Sequence, residues 1–162
     1  SRRSTGKTIY ILDEPTTGVD PVSRKEFWEM LKRLKERYGI TIVVSTPYMD
    51  EAMLCDRIAL MQEGRFLRID TPSGIIAAYS DRLWTVKSDN MHRLLEDLRS
   101  YPEVKTAFSF GETYHVTVTD GASPESLKDY LHTRGHNRIA VCPASATIED
   151  CFMSLMHKTD ER

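Results

Sequence analysis

The chain has 162 residues, of which 40% are hydrophobic and 28% charged, and its formal net charge is −2. This composition is typical of a soluble globular protein, and no apolar stretch is long enough to cross a membrane. Residues 1–79 carry 12 basic and 11 acidic side chains, and residues 80–162 carry 10 and 13. Neither half has the basic excess that a nucleic-acid backbone attracts, so we expect no nucleic-acid partner.

The first predicted element is a strand at residues 9–12, an apolar run that ends in two acids and that we expect to be buried. Asp20 and Pro21 then predict a helix start, as N-cap and first helical residue. Apolar residues recur at helical spacing up to Gly39, which ends the helix. The β-branched residues 40–44 predict a second buried strand.

Four shorter elements complete this half of the chain. A short helix is predicted at residues 48–55, a hairpin with strands at 57–61 and 65–69, and a helix at 71–79. The order of strands and helices argues for an α/β layer with parallel strands.

The pattern changes near residue 80, where we place a boundary between domains 1–80 and 81–162. The second domain has the order β-α-β-β-α-β, which predicts a small ferredoxin-like α+β sandwich. A last helix follows Thr147, which can cap it. The predicted strands lie at 83–86, 104–110, 113–119 and 138–142, and the helices at 91–100 and 124–133.

Two adjacent acids, Asp13 and Glu14, follow the first strand. Asp13 could hold Mg²⁺, which takes hard oxygen ligands. Glu14 could orient or deprotonate the water that attacks a γ-phosphate. A strand that simply ends at solvent would look the same, so the pair alone is a weak signal.

The longer string at residues 12–21, LDEPTTGVDP, closely resembles the Walker B motif and D-loop of ABC ATPases. This resemblance implies that Asp13 is the metal residue and Glu14 the catalytic glutamate. It also places Gly18, Val19 and Asp20 in the loop that contacts the opposite subunit across the nucleotide.

The resemblance continues beyond the motif. Residues 45–52 are similar to the switch region, and residues 146–150 are similar to the C-terminal tail of the family. From about Gly18 onward the chain resembles the ATPase of an ABC-2-type exporter. Such ATPases often carry a small appended domain where residues 81–142 lie here.

The resemblance implies a partial P-loop NTPase (ABC ATPase) fold with a parallel sheet, acting as the ATP-hydrolysing motor subunit of an export system. ATP and Mg²⁺ are the implied cofactors. Transmembrane permease subunits and a second nucleotide-binding domain are the implied partners. The implied location is cytoplasmic and peripheral, at the inner face of the cell membrane.

The P-loop and signature sequence of an ABC ATPase lie N-terminal to Walker B, where only twelve residues precede Asp13 here. We therefore expect a C-terminal fragment that binds ATP poorly by itself. Residues 5–8 imitate the end of a P-loop, but they run into a strand instead of a helix, so we reject them as a nucleotide loop.

Pro47 occupies the position at which this family usually holds the switch histidine, whose ring contacts the γ-phosphate. Proline offers neither a side-chain donor nor a backbone N–H. By resemblance to the first unit of tandem exporter ATPases, this implies a degenerate site with impaired hydrolysis. Alternatively, Pro47 only shapes the turn, and Glu14 suffices for slow hydrolysis.

Two other functions remain open. Residues 1–18 look more like the DNA-repair ABC ATPase of the UvrABC excinuclease than like a transporter ATPase. Three explanations remain for this resemblance: ordinary variation in a transporter, a recombined gene, or a join made during sequence assembly. Alternatively, residues 81–142 form a non-enzymatic regulatory or dimerisation module.

Overall fold

The computed structural model describes residues 6–160, apart from the side chain of Thr159. Within them the chain is a mixed α/β protein whose compact units divide after Ile58. The boundary between domains 1–80 and 81–162, which the change of pattern near residue 80 predicts, stays a prediction. Among residues 6–160, no helix combines the length and apolar character that a membrane span requires.

The first unit contains two strands and two helices. β1 (Ile9–Asp13) pairs in parallel with β2 (Thr41–Ser45). α1 (Pro21–Tyr38) connects the two strands, and the single-turn helix α2 (Met49–Ala52) follows β2. Residues 6–8 lead directly into β1, as the sequence predicts.

Both ends of α1 follow from its sequence. Asp20 caps the N-terminus with its side chain, and Pro21 is the first helical residue. Gly39 has a left-handed backbone with φ 59°, and its amide donates to the Lys35 carbonyl at 2.9 Å. The predicted start and stop of this helix are therefore confirmed.

The sequence predicts buried strands at residues 9–12 and 40–44. The strands are present, but the prediction that they are buried is wrong. Ile9, Tyr10 and Ile11 are 59%, 52% and 77% exposed. A strand of a parallel sheet is buried when other strands flank it and helices cover both of its faces. In the described part of the chain, β1 and β2 pair only with each other, so much of their apolar surface stays open.

The second unit begins with a two-stranded sheet, formed by β3 (Ile58–Gln62) and β4 (Arg65–Asp70). Glu63 and Gly64, both with positive φ, make the turn between them. α3 (Pro72–Ala77) follows. These three elements lie within two residues of their predicted bounds.

A four-stranded sheet and two helices form the rest of this unit, with α6 (Ile148–Asp160) at its end. The strand order is β6-β7-β5-β8, and each neighbouring pair is antiparallel. The elements, in chain order, are β5 (Arg82–Lys87), α4 (Met91–Arg99), β6 (Val104–Phe110), β7 (Thr113–Val118), α5 (Pro124–Thr133) and β8 (Ala140–Pro143).

The core of the second unit lies between this sheet and the helices α4 and α5. The fully buried members of its cluster are Val86, Leu94, Leu98, Val116, Leu127 and Leu131. The alternation along β7 predicted one buried face, at Tyr114, Val116 and Val118; Val116 and Val118 are buried, and Tyr114 is half-buried. The opposite face of β7 is buried as well, because His115 is 5% and Thr117 is 7% exposed.

Candidate functional site

The two predicted acids lie at the end of β1, beside the end of β2. Asp13 is the register partner of Ser45. The Ser45 hydroxyl donates a hydrogen bond to Oδ1 of Asp13 and accepts one from the Glu14 amide at 3.0 Å. The same amide donates to the Ser45 carbonyl at 2.9 Å. Ser45 therefore holds the carboxylate of Asp13 and the backbone of Glu14 together.

Glu14 has a left-handed backbone with φ 45°. For a residue with a side chain this conformation costs about 1 kcal/mol, and such strain concentrates at functional sites. The hydrogen bonds of its amide to Ser45 hold the conformation in place. The Glu14 side chain is exposed and accepts a hydrogen bond from the Thr17 hydroxyl at 3.4 Å.

The predicted D-loop residues lead from this acid pair into α1. Gly18 has φ 76°, a conformation that glycine adopts without steric cost. Val19 is 38% exposed, and its amide donates to the Thr16 carbonyl at 3.1 Å. Asp20 accepts hydrogen bonds from the first amides of α1, and the bond from Ser23 is the main cause that lowers the pKa of Asp20.

Pro47 lies exposed in the turn between β2 and α2. The Thr46 hydroxyl accepts a hydrogen bond from the Tyr48 amide at 3.1 Å and so closes the turn around the proline. Pro47 itself offers no N–H to a bound group. Pro47 thus belongs to the turn that begins directly after Ser45, the residue that holds Asp13 and Glu14.

A buried carboxylate connects the acid-bearing loop to α1 and α2. Glu51 of α2 is 2% exposed, and its Oε1 accepts a hydrogen bond from the Thr16 hydroxyl at 2.7 Å. The same oxygen accepts from Nη2 and Nε of Arg24 at 2.8 and 3.0 Å. Arg24 also lies 3.5 Å from Asp50 and 4.2 Å from the centroid of the Tyr48 ring.

The hydrogen bonds decide the charge state of this carboxylate. Burial alone would raise the pKa of Glu51, but interactions with Thr16, Arg24, Thr46 and Trp28 outweigh it and lower the pKa. The hydrogen bond to Glu51 in turn raises the pKa of Arg24. Oε2 of Glu51 and the indole nitrogen of Trp28 are buried, and neither completes a hydrogen bond among residues 6–160.

Asp13 has the chemistry of a magnesium ligand. Its carboxylate is exposed, and only one of its oxygens accepts a hydrogen bond within the described residues. Those residues contain no cluster of three or more His, Cys, Asp or Glu side chains that could hold a metal ion. Asp13 therefore fits a cation that keeps several waters and also binds phosphate oxygens, which is the usual state of Mg²⁺.

A Ser-His-Asp network, which the sequence did not reveal, lies in the second unit. His136 is 1% exposed and contacts the Ser88 hydroxyl at 2.8 Å and Oδ2 of Asp97 at 2.6 Å. These residue types form the triad of many hydrolases. Here all three are less than a tenth exposed, and the Ser88 hydroxyl also accepts from the Asn90 amide at 3.1 Å. The network therefore links three segments of the fold and offers no opening to a substrate.

The motif identified Asp13 and Glu14 but missed the residues that hold them. Ser45 could have been found, because the carboxyl ends of neighbouring parallel strands meet at one edge of a sheet. Glu51 gave no such signal, since an acid in a short polar helix is normally exposed.

Several ABC transporter proteins are similar to this chain. The "Probable multidrug ABC transporter ATP-binding protein YbhF" of Escherichia coli (strain K12) is 31% identical over 150 residues, which are 91% of this chain and 25% of that protein. The "Nod factor export ATP-binding protein I" of Rhizobium sp. (strain N33) is 33% identical over 156 residues, 95% of this chain and 49% of that protein. The "Retinal-specific phospholipid-transporting ATPase ABCA4" of Homo sapiens is 54% identical over 123 residues, 75% of this chain and 5% of that protein.

No protein-family model matches the chain. The chain spans at most about half the length of these relatives. The matches to the two bacterial proteins cover 91% and 95% of the chain, so they extend over both compact units. The chain is therefore similar to ABC transporter ATP-binding proteins over nearly its whole length.

Proposed function

We propose that the chain is the Walker B, D-loop and switch part of the ATP-hydrolysing motor subunit of an ABC-2-type exporter. The observation that carries this proposal is the placement of Asp13 and Glu14 at the end of β1, both held by Ser45. The names of the bacterial relatives, which refer to ATP binding and export, support it.

Each predicted site residue has a role in this proposal. Asp13 would hold Mg²⁺ with its carboxylate, and the exposed Glu14 carboxylate would orient the water that attacks ATP. Bound Mg²⁺ neutralises charge on the phosphate oxygens. Gly18, Val19 and Asp20 form the loop that faces a second nucleotide-binding domain.

The proposal extends to fold, partners and location. The parallel pair of β1 and β2 belongs to a P-loop NTPase sheet. The strand order β6-β7-β5-β8 supports a ferredoxin-like sandwich in the second unit. Transmembrane permease subunits are the partners, and the protein works at the cytoplasmic face of the cell membrane.

Hydrolysis at this site is impaired by Pro47, and ATPase turnover of the full-length protein tests this. We expect Pro47→His to raise the turnover, because histidine restores a donor to the γ-phosphate. Adding Glu14→Gln to that variant should lower kcat at least about 100-fold, since it removes the group that orients water.

Glu63→Gln is the matched control, because Glu63 lies exposed in the turn between β3 and β4. This variant should leave turnover unchanged. An unchanged turnover in Pro47→His would refute the impaired site, and an unchanged turnover after Glu14→Gln would refute the catalytic role.

A further inference from the structure

The second unit contains a cavity of about 170 Å³, lined by residues of α4, β6, β7 and α6. We call it the β6 cavity. Its walls are mainly apolar and come from Leu95, Phe108, Phe110 and Met153. None of these residues belongs to the candidate ATPase site, so the cavity is a separate feature of the molecule.

One buried histidine gives the β6 cavity a polar group. The side chain of His115 is 5% exposed, and its Nδ1 lies 2.8 Å from Oδ1 of Asp150. Oδ2 of Asp150 accepts hydrogen bonds from the amide and hydroxyl of Thr147, both at 2.8 Å. A carboxylate only accepts, so Nδ1 carries the proton toward Asp150, and a ring that is protonated at Nδ1 alone presents Nε2 as an acceptor.

No hydrogen bond within the described part of the chain uses this acceptor. Nε2 of His115 has no hydrogen-bond partner among residues 6–160, although the atom is not sealed from solvent. The imidazole ring is held by Asp150 on one edge and by Phe110 on one face, with ring centroids 3.9 Å apart and planes at 24°. The histidine therefore presents a fixed acceptor, open to solvent, in a mainly apolar cavity.

The size of the cavity selects the ligand. An enclosed apolar protein cavity of about 150 Å³ is known to hold one benzene molecule, so the half-open β6 cavity has room for a six-membered ring with a small substituent. Phe108 and Phe110 offer aromatic surfaces for such a ring, which favours an aromatic ligand over an aliphatic one.

The charges at the cavity select a neutral ligand. Arg99, Glu149 and Asp150 line it, and both oxygens of Asp150 are already engaged by His115 and Thr147. One charge of each sign is left to face a ligand, so neither an anion nor a cation is favoured. Arg99 is also committed in part, because its Nη2 donates to the Ala107 carbonyl of β6 at 3.0 Å. The free acceptor at His115 requires that the ligand supply a hydrogen-bond donor.

We propose that the β6 cavity binds a small neutral aromatic molecule that carries one hydroxyl or N–H donor, a molecule of the phenol class. The ring packs between the apolar walls, and the donor points at Nε2 of His115. The second unit is then a ligand-binding module, whether or not the first unit takes part in ATP hydrolysis.

Phenol and toluene titrated into the full chain test this proposal, because they differ in the hydroxyl donor at nearly equal size. The readouts are the NMR signals of the His115 ring nitrogens and the Met153 methyl group. We expect saturable shifts with phenol and a dissociation constant on the order of 1 mM. Toluene should bind about fivefold to tenfold more weakly and should not move the Nε2 signal. Equal binding of both, or no saturable shift, would overturn the proposal.

Two variants test separately whether binding needs the Nε2 acceptor of His115 and whether it needs the volume of the β6 cavity. His115→Asn keeps an amide donor toward Asp150 but removes Nε2, so phenol should bind it as weakly as toluene. Met153→Trp fills the cavity and should abolish binding of both molecules. Met61→Trp is the matched control, because Met61 is 52% exposed on β3 and does not line the cavity. If His115→Asn does not fold, Met153→Trp still decides, since retained phenol binding in it contradicts the site.

Discussion

Ser45 and Glu51 hold the candidate catalytic segment from two sides. Ser45 fixes Asp13 and the backbone of Glu14, and Glu51 fixes Thr16, two residues further along. The hydrogen bonds of Ser45 to Asp13 and Glu14 are exposed, whereas the hydrogen bond between Thr16 and Glu51 is buried. This arrangement makes the hydroxyl of Thr16 more important for stability than its small size suggests.

We expect Thr16→Val to destabilise the first unit by about 1 kcal/mol, because it removes one hydrogen bond from the buried Glu51 carboxylate. Native-state hydrogen exchange of the α1 and α2 amides measures this loss. Thr17→Val is the matched control, since Thr17 is exposed and should change stability by less than about 0.5 kcal/mol. Equal effects of the two substitutions would show that the buried hydrogen bond contributes nothing.

The lowered pKa of Glu51 predicts a loss of stability in acid. The ionised Glu51 carboxylate stabilises the folded chain fully above its ordinary pKa of 4.5. This stabilisation is lost as the pH falls through the lower pKa that Glu51 has in the folded chain. Urea unfolding between about pH 6 and about pH 3 measures this dependence. Glu51→Gln should show a shallower decline than the natural sequence, whereas exposed Glu63→Gln should keep the original slope. A Glu51→Gln curve parallel to that of the natural sequence would contradict the assignment.

At the scale of the element, the sequence predicts the ends of α1 well because local groups determine them. Asp20 satisfies the first amides of the helix with its own side chain, and Gly39 turns the chain in a conformation that few other residues adopt. Neither effect depends on distant parts of the chain. The same holds for the turn at Glu63 and Gly64 between β3 and β4.

We expect Gly39→Ala to destabilise the first unit by about 1 kcal/mol. No atom lies within 4 Å of the added Cβ, so the cost arises from the left-handed backbone alone. Hydrogen exchange of the α1 amides measures it. Gly121→Ala is the matched control, because Gly121 has equal space but no positive φ, and alanine there should be neutral or slightly stabilising. A loss of similar size at both positions would contradict the role of the backbone.

The burial of an element could not be predicted in the same way. Ile11 belongs to an apolar run typical of a buried strand, yet it is 77% exposed. Exposure depends on which elements pack against the strand, and a short apolar run carries no information about them. For the same reason the motif identifies Asp13 and Glu14, whereas the buried Glu51 becomes evident only when Thr16 and Arg24 lie beside it.

At the scale of the whole molecule, the open apolar surface of the first unit predicts self-association. Ile9, Tyr10 and Ile11 are exposed on a strand that, among residues 6–160, pairs on one side only. A groove of about 640 Å³ lies beside the same strand, with Leu12, Phe27 and other apolar residues along its walls. Exposed strand edges and apolar patches of this kind promote contacts between chains.

Sedimentation at increasing concentration should therefore show oligomers of the chain. We expect Ile11→Lys to shift the distribution toward monomer, because a charge on the exposed strand opposes close pairing. Met61→Lys, a similarly exposed apolar position in the second unit, should leave the distribution unchanged. A monodisperse monomer for the natural sequence would count against this prediction.

The single hydroxyl of Ser45 also limits which sequences can serve this site. The hydroxyl donates a hydrogen bond to Asp13 and accepts one from the Glu14 amide, so the position needs one group that both donates and accepts. Among side chains that fit a strand end, serine and threonine provide such an atom on Cβ. If the proposed function holds, a saturation library of the full-length protein selected for transport should therefore accept only serine and threonine at position 45.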